Sequence, residues 1–536
     1  MIEAGSSPLA DDAPTQPWKP AYNPWLIAVV VALASFMEVL DTSIANVALP
    51  HISGNLGASQ DQSTWVLTTY LVANAIVLPI TGWISSTLGR KRFFMICIAI
   101  FTLSSLLCGL APSLPILLLA RALQGAGGGG LQPMSQSIMA DSFPPRLRGA
   151  AFALFGITTM VAPALGPILG GWITDNYSWR WIFLINLPGG VLLSGLIYKL
   201  VEDPPFLRRF KRGEMRLDYV GLALLAIGVA ALQIFLDKGQ EDDWLGSRFI
   251  ITLIVTSIVC LSTLIVWEWR HKQPLIDIKL FRNINFASTT VIMFMAGVVA
   301  FSSTVLMPQF LQMLMGYTAE QAGLVVSAGA ALLLLTMPLV GALITKVQAK
   351  YLIAFGWLLS AIGLYISTRL LSLGISFNAA CIIMLMQYAP LGFIFVPAIT
   401  ASYFGIAQDR SDSVSGLTNF MRNIGSSVGA SVVTTILSRR QQFHIARLSE
   451  HMGPTSPGMM MSFQALSAYG HRIGASNQQA QALGLGMIYR SLLAQAAALS
   501  YLDTYIALAA GGAAMFLLSF LLKSNDPKHS EATTSH

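Results

Sequence analysis

Charged side chains are scarce in this chain. Asp, Glu, Lys and Arg make up only 11% of its 536 residues, whereas hydrophobic residues make up 54%. Apolar runs long enough to cross a bilayer recur from Trp25 to the C-terminus, which predicts a polytopic membrane protein. The formal net charge of +7 needs no nucleic acid to explain it, because basic residues that set membrane topology account for most of it.

Several kinds of chemistry have no residues to support them. The four cysteines, Cys97, Cys108, Cys260 and Cys381, all fall in apolar segments, so no disulfide framework is implied. The chain has no phosphate-binding G-x-x-x-x-G-K-[ST] loop, which argues against direct ATP drive. All seven histidines lie outside the predicted spans, so no metal site or nucleophile-type site is evident. We therefore expect neither a metal nor another cofactor.

Hydropathy predicts an all-α protein with fourteen membrane-spanning helices. The polar first 24 residues contain one basic residue, Lys19, and no cleavage-type apolar region, so no signal peptide is predicted. The predicted spans are residues 25–49, 61–84, 93–112, 115–140, 149–174, 180–201, 217–236, 248–268, 284–312, 319–344, 350–371, 378–404, 411–437 and 501–523.

The basic residues predict the orientation. With a cytoplasmic N-terminus, most Lys and Arg fall on the inner side, whereas the short outer loops and the adjoining span ends hold only Arg180, Lys238, Arg248 and Arg369. Both termini are therefore predicted to be cytoplasmic.

A faint internal repeat predicts two similar halves. The second span ends in Pro79-Ile-Thr-Gly82-Trp-Ile84 and the tenth in Pro338-Leu-Val-Gly341-Ala-Leu343. Parallel six-span repeats about an axis along the membrane normal build the major facilitator fold. The predicted divisions are an N-terminal tail 1–24, a six-helix bundle 25–201, a basic linker with two inserted helices 202–283, a second six-helix bundle 284–523 and a C-terminal tail 524–536.

Two acidic residues lie inside the first span. Glu38, Asp41, Thr42 and Ala45 have i, i+3, i+4, i+7 spacing and share one helix face. Each mid-membrane acid costs about 2.5 to 3.5 kcal/mol on insertion scales, so this face is expected to look into a cavity. A carboxyl group there suits proton transfer. A structural salt bridge for Asp41 and a structural role for Glu38 are the alternatives.

A basic partner is available in the fourth span. Arg121 lies about 9 Å, and Asp41 about 12 Å, below the outer ends of their spans at 1.5 Å per residue. We therefore predict that Arg121 is a partner of Asp41. Arg121, Gln124, Gly125 and Gly128 also resemble the fourth-helix motif of the major facilitator superfamily, and the resemblance implies that Arg121 takes part in proton coupling with Asp41 and Glu38. The alternative is an arginine that extends outward to the membrane interface.

The fifth span contains four glycines and two prolines between Gly156 and Gly171. In lipid these residues allow close, bendable packing between helices. From Ala162 onward the segment resembles the G-x-x-x-G-P-x-x-G-G signature of proton-driven antiporters of the major facilitator superfamily, with Ala162 in place of the first glycine. The resemblance implies a gating role; plain helix packing is the alternative.

The turn after the second span, Gly82 to Arg92, resembles the superfamily's G-x-L-x-D-x-x-G-R-[KR] loop. Ser86 replaces the usual aspartate, which puts a charge relay between helices in doubt and favours glycine packing and positive-inside anchoring. The predicted gating residues are Gly82, Gly89, Arg90, Gly156, Pro163, Gly166, Pro167, Gly170 and Gly171.

Arg422 lies near the middle of the thirteenth span, roughly 16 Å from its inner end. It could neutralise an anionic substrate group, pair with an acid or brace its helix. Other polar and soft side chains could line a cavity that accepts varied apolar ligands, although each alone suits ordinary packing. The predicted substrate-binding residues are Thr42, Asn46, Tyr70, Asn74, Gln124, Gln136, Met307, Gln309, Gln387, Asn419 and Arg422.

As a set, the motifs at 40–50, 64–66, 121–125, 166–171 and 179–188 resemble the fourteen-span drug:proton antiporters of the EmrB/QacA type, closest to the EmrB-like members. The resemblance implies efflux of hydrophobic or amphipathic compounds by alternating access, with the proton as coupling ion, in a bacterial inner membrane. It also implies a periplasmic adaptor of the EmrA type and an outer-membrane channel of the TolC type. Export of one endogenous metabolite, such as a siderophore or fatty acid, is the alternative; an intramembrane enzyme is another, from a different class.

The predicted outer segment 438–500 is far longer than a turn between two spans requires. Its Met, Leu, Ala and Gln content suits amphipathic helices. Exposed apolar faces there would need a partner, which favours adaptor docking. The alternative is that the segment folds back as a cap over the transporter's own mouth.

Overall fold

The computed structural model describes residues 18–205, 218–271, 274–450, 452 and 457–523. The predicted linker at 208–216, the C-terminal tail 524–536 and most of the N-terminal tail lie outside the described residues. Most of the described residues are helical. The helices are α1 Pro24–Leu56, α2 Gln60–Leu88, α3 Arg90–Leu110, α4 Leu114–Gly128, α5 Leu131–Ser142, α6 Pro145–Asn176, α7 Trp181–Leu184, α8 Asn186–Leu200, α9 Tyr219–Lys238, α10 Arg248–Arg270, α11 Ile284–Met315, α12 Ala319–Leu343, α13 Ala349–Leu370, α14 Phe377–Ser402, α15 Ser411–Ser449, α16 Pro457–Arg472 and α17 Asn477–Leu518.

The described helices do not confirm the count of fourteen spans. Eleven are long and apolar enough to cross a membrane, or twelve if Pro145–Pro163 and Leu165–Asn176, bent by 40°, form one span. The predicted fourth span is split into α4 and α5 where Gly129 and Gly130 interrupt the helix. The predicted thirteenth span lies in α15, whose polar residues lower its hydropathy.

Two helices extend past the predicted ends of their spans. The thirteenth span is predicted to end at 437, and α15 continues to Ser449. The fourteenth is predicted to begin at 501, and α17 begins at Asn477. Polar residues end a hydropathy window without ending a helix, because backbone hydrogen bonds do not depend on apolar side chains.

The helices that precede and follow the α9/α10 pair form two groups. We call α1–α8 the N-terminal half and α11–α17 the C-terminal half. Between the halves, α6 packs on α12 and α14, while α2 and α5 pack on α15. Ion pairs and hydrogen bonds join the halves near the end of α2 and the start of α15, the end predicted to be cytoplasmic. At that end, a Cβ added to Gly82 would lie 2.9 Å from the Ser413 backbone nitrogen.

The inserted pair α9/α10 contacts both halves. The two helices pack on each other, and α9 also packs on α2 and α15. The Gln233 amide donates to the Asn423 side chain of α15 at 3.2 Å. The Thr68 hydroxyl of α2 donates to Asp237 of α9. The insert therefore lies across the line where the halves meet.

Candidate functional site

Asp41 is the centre of a buried polar cluster inside the N-terminal half. Its carboxylate accepts from Arg121 Nη1 at 2.6 Å, Gln124 Nε2 at 2.9 Å and Asn186 Nδ2 at 2.6 Å. All four residues are buried, with at most 3% of their surface exposed. The carboxylate is therefore held by three hydrogen bonds from side chains of α4 and α8.

Arg121 is fixed by more than its ion pair. Its Nε donates to the backbone carbonyl of Val66 at 3.1 Å, and Nη1 also donates to Gln124 at 2.7 Å. The guanidinium lies 4.3 Å from the ring centroid of Tyr70 and 5.5 Å from that of Phe183. The side chain therefore points into the bundle and not outward to the membrane interface, and only Nη2 lacks a partner.

Glu38 lies one helical turn from Asp41 and has different partners. Its Oε1 accepts from the Tyr70 hydroxyl and from Asn74 Nδ2, each at 3.1 Å. Its Oε2 accepts from Gln132 Nε2 at 2.5 Å. The Oε1 of Gln132 in turn accepts from Arg422 Nη2. A hydrogen-bonded chain thus runs from Glu38 in the N-terminal half to Arg422 in the C-terminal half.

The glycine run between α4 and α5 makes this arrangement possible. A Cβ at Gly128 would lie 2.5 Å from the Tyr70 hydroxyl and 3.3 Å from Cγ of Glu38. Only glycine lets α4 approach this closely to both side chains. The break that follows starts α5 at Leu131 and brings Gln132 beside Glu38.

A second charged cluster joins the halves at the predicted cytoplasmic end. Arg90, only 1% exposed, forms an ion pair with Asp141 of α5. Its Nε also lies 2.7 Å from Asp412 Oδ1, at the start of α15 in the other half. The Ser85 hydroxyl donates to the same carboxylate at 2.5 Å. We call Arg90, Asp141 and Asp412 the gate cluster.

The gate cluster corrects the expectation based on Ser86. The Ser86 hydroxyl only donates to the Trp83 carbonyl at 2.8 Å, so this position supplies no charge. The acids come instead from the end of α5 and the start of α15. Arg90 is therefore a buried residue between helices and not an exposed anchor on the inner membrane surface.

Neutral side chains extend the contact between the halves from the gate cluster toward the middle of the membrane. The Ser137 and Ser415 hydroxyl oxygens lie 2.7 Å apart. One turn further along, Asn419 Nδ2 donates to Gln136 Oε1 at 2.9 Å. The halves are thus joined from the gate cluster up to the pair Gln132–Arg422.

The predicted substrate-binding residues fall into separate groups. Tyr70 and Asn74 contact Glu38, Gln124 belongs to the Asp41 cluster, and Gln136 and Asn419 bond to each other across the halves. The remaining members do not meet at this site. Thr42 donates to the Val39 carbonyl of its own helix, Gln387 donates to Ser367 within the C-terminal half, Met307 is buried, Gln309 is partly buried and Asn46 is exposed.

The predicted gating residues of α6 contact both halves. A Cβ at Gly166 or Gly170 would press on Ser43 or Ile44 of α1, and Ser43 donates to the Pro163 carbonyl at 3.1 Å. Nearer the gate cluster, Gly156 faces Met337 of α12. The other members are placed as follows: Pro167 lies within α6, a Cβ at Gly171 would meet no atom within 4 Å, and Gly89 caps α2 with φ of 84°.

Four residues of these clusters were absent from the predicted site. Asn186 follows Trp179-Arg-Trp-Ile-Phe-Leu-Ile, a segment noticed only as a family motif. Gln132 was read as part of the fourth span, and the acids Asp141 and Asp412 lie at the ends of predicted spans. The sequence did place Asp141, Asp412 and Arg90 at span ends on the same predicted side of the membrane, which could have indicated an ion pair between them. Among the described residues, no group of three or more His, Cys, Asp or Glu could hold a metal ion.

The sequence profile described as Major Facilitator Superfamily matches residues 31–430. The chain belongs to this superfamily. It is 37% identical to the multidrug export protein EmrB of Escherichia coli over 455 residues, covering 85% of this chain and 87% of that protein. It is 38% identical to the fatty acid resistance protein FarB of Neisseria gonorrhoeae, covering 85% and 88%. Within the major facilitator superfamily the chain is therefore an EmrB-type transporter.

Solved structures agree with the fold. The superfamily's proton:xylose symporter XylE has a TM-score of 0.60 at 13% identity, covering 96% of this chain and 99% of that chain. The human organic anion transporter MFSD10 has a TM-score of 0.55 at 14% identity, covering 94% and 100%. The all-helical major facilitator fold predicted from the sequence is confirmed.

Proposed function

We propose that this transporter exports hydrophobic or amphipathic compounds in exchange for protons. Its similarity to multidrug export proteins supports the substrate class. The observation that carries the proton coupling is the buried cluster of Asp41, Arg121, Gln124 and Asn186. A carboxylate held beside an arginine within one half can bind and release a proton without contacting the substrate directly.

The contacts between the halves support alternating access. Ion pairs and close packing join the halves at the predicted cytoplasmic end, as expected of an outward-facing conformation. In the proposed cycle, a proton from outside binds after the substrate leaves, the gate cluster separates, and the site opens to the cytoplasm. Asp41, Glu38 and Arg121 carry the coupling, and the glycines of α6 permit the movement.

We place the protein in a bacterial inner membrane with both termini in the cytoplasm. The segment after residue 438 then lies in the periplasm, where α16 packs against α17. Apolar side chains such as Met461 and Leu485, 68% and 51% exposed, lie on these helices. This supports docking of a periplasmic adaptor of the EmrA type, and through it an outer-membrane channel of the TolC type.

The test uses purified protein in liposomes that contain a pH-sensitive dye. An imposed pH gradient should drive ethidium against its own gradient, and an added ethidium gradient should move protons in the opposite direction. A fatty acid and a siderophore tested in parallel distinguish broad efflux from export of one metabolite. Ethidium movement that is indifferent to the pH gradient would contradict proton coupling.

A further inference from the structure

The polar chain between the two halves passes through one neutral side chain. Gln132 donates from Nε2 to Glu38 and accepts at Oε1 from Arg422. We propose that Gln132 couples the protonation of Glu38 to the separation of the halves, so that the empty, deprotonated transporter stays outward-facing. This inference rests on the proposed function.

The amide of Gln132 can make both bonds in only one orientation. A glutamine side chain has one donor end and one acceptor end, whereas an ionised carboxylate only accepts and a guanidinium only donates. The bridge therefore joins two opposite charges only while Glu38 is ionised, because a protonated carboxyl group keeps an acceptor oxygen but loses its charge. Each bond to a charged group also polarises the other, which strengthens the chain as a unit.

Protonation of Glu38 removes the charge that maintains the bridge. The carboxyl group then has an O–H donor, and the hydrogen bond that it accepts from Gln132 Nε2 becomes weaker. Arg422 no longer faces a negative charge through Gln132, so its bond to the N-terminal half weakens. The other ionisable groups that act on Glu38 are Asp41 of α1, Tyr70 of α2 and Arg422 of α15.

This logic gives a coupling rule. After the substrate leaves, the ionised Glu38 keeps Arg422 attached and prevents the return to the inward-facing state. Binding of a proton releases Arg422 and permits that return. Without the bridge, the empty transporter would return with no proton, so substrate would cross without proton exchange and the pH gradient would no longer drive its accumulation.

The chain supplies a matched control one turn further along α5. Gln136 also bonds across the halves to α15, through Asn419, but its partner carries no charge. Replacing either glutamine with leucine removes an amide of the same size at the same helix interface. Only Gln132→Leu removes a bond that depends on protonation.

The experiment measures closure at the gate cluster as a function of pH. Ser137→Cys and Ser415→Cys are introduced into the full-length protein with its four cysteines replaced by serine, since these hydroxyl oxygens lie 2.7 Å apart. Copper–phenanthroline is the oxidant, and the disulfide yield in liposomes is divided at each pH by that of Ser35→Cys with Ser135→Cys, a pair 2.9 Å apart within the N-terminal half, because the thiolate fraction itself falls with pH. This corrected yield reports the closed cytoplasmic end. With Gln132 and Gln136 intact, the yield should fall when the pH drops from about 8.5 to about 5.

Gln132→Leu should abolish this pH dependence and reduce pH-gradient-driven ethidium accumulation about tenfold or more, because it removes hydrogen bonds to two charged groups. Gln136→Leu should lower the disulfide yield at every pH while keeping its pH dependence. Gln132→Glu keeps the size and polarity of the side chain if the leucine variant fails to fold. Its introduced carboxylate should shift the fall in yield to lower pH, since a second proton is then needed to free Arg422.

A pH dependence in Gln132→Leu equal to that of the unmodified site would overturn the proposal, as would an unshifted profile in Gln132→Glu. The failure of the proposed function looks different. In that case the protein with both glutamines intact would move ethidium without regard to the pH gradient, whatever the disulfide yields show.

Discussion

At the scale of single residues, the two acids of α1 are distinguished by their partners. Asp41 accepts only from residues of its own half, whereas Glu38 is linked across to the other half. The two carboxylates lie one turn apart on the same helix, so helix spacing alone could not separate their roles.

Asp41→Asn should end pH-gradient-driven export while preserving expression and ethidium binding. The asparagine keeps the shape, but its NH₂ group must face one of the three donors that Asp41 accepts, at a cost of about 1 to 3 kcal/mol. Export and binding would be measured in the same liposomes, with the exposed Asp242→Asn as control. Unchanged gradient-driven export by the Asp41 variant would remove Asp41 from the proton path.

Arg121→Lys should impair coupling with little loss of folding. Lysine retains the charge but loses the fork that contacts Asp41, Gln124 and the Val66 carbonyl together. We expect a displaced pH profile of export, measured against Arg180→Lys at the predicted outer side. A normal pH profile in Arg121→Ala would refute the link between this arginine and the acid.

The sequence predicted Asp41 and Arg121 as partners because both lie inside apolar spans at similar depth, where a charge demands a counter-charge. Asp412 could not be paired with Arg90 in this way. Both lie at span ends, where water is an equally good partner, and 322 positions separate them along the chain. Only the packing of α2 against α15 removes that water.

At the scale of helices, α15 and α17 extend beyond the predicted spans. Composition indicated helices after residue 438, and α15 and α17 supply part of them as continuations of the spans. Asp503 of α17 accepts from Arg440 Nε at 2.6 Å and lies 2.7 Å from His444 Nε2, which joins the two helices. Helix α16 packs on α17, and the cap hypothesis stays an untested prediction.

Replacing residues 445–490 with a Gly/Ser linker should spare antiport in liposomes and abolish drug resistance in cells and co-purification of the adaptor. This replacement retains Arg440, His444 and Asp503, so the contacts that join α15 to α17 are kept. A milder variant, Met461→Gln with Leu485→Gln, changes only exposed apolar side chains, and Gln478→Ala is its control. Adaptor that still co-purifies with the shortened protein would reject the docking role.

At the scale of the whole molecule, the gate cluster contributes to the balance between conformations. Asp412→Asn removes the charge from the other half that faces Arg90 and leaves only Asp141 as an ionic partner. We expect the rate of disulfide formation between Ser137→Cys and Ser415→Cys to fall about tenfold, because a buried charged hydrogen bond is lost. The exposed Asp409→Asn, three residues earlier, should leave it unchanged.

The length of α15 has a mechanical consequence. Helix α15 has 39 residues and no internal proline. It carries Asp412 of the gate cluster, Arg422, and the two residues that contact Asp503 of α17, Arg440 and His444. A rod of this kind is roughly 58 Å long, so a tilt of roughly 10° about its inner end displaces its outer end by roughly 10 Å. A tilt of α15 would therefore connect separation at the gate cluster to a displacement of the opposite end of the helix, where a bound protein would detect it.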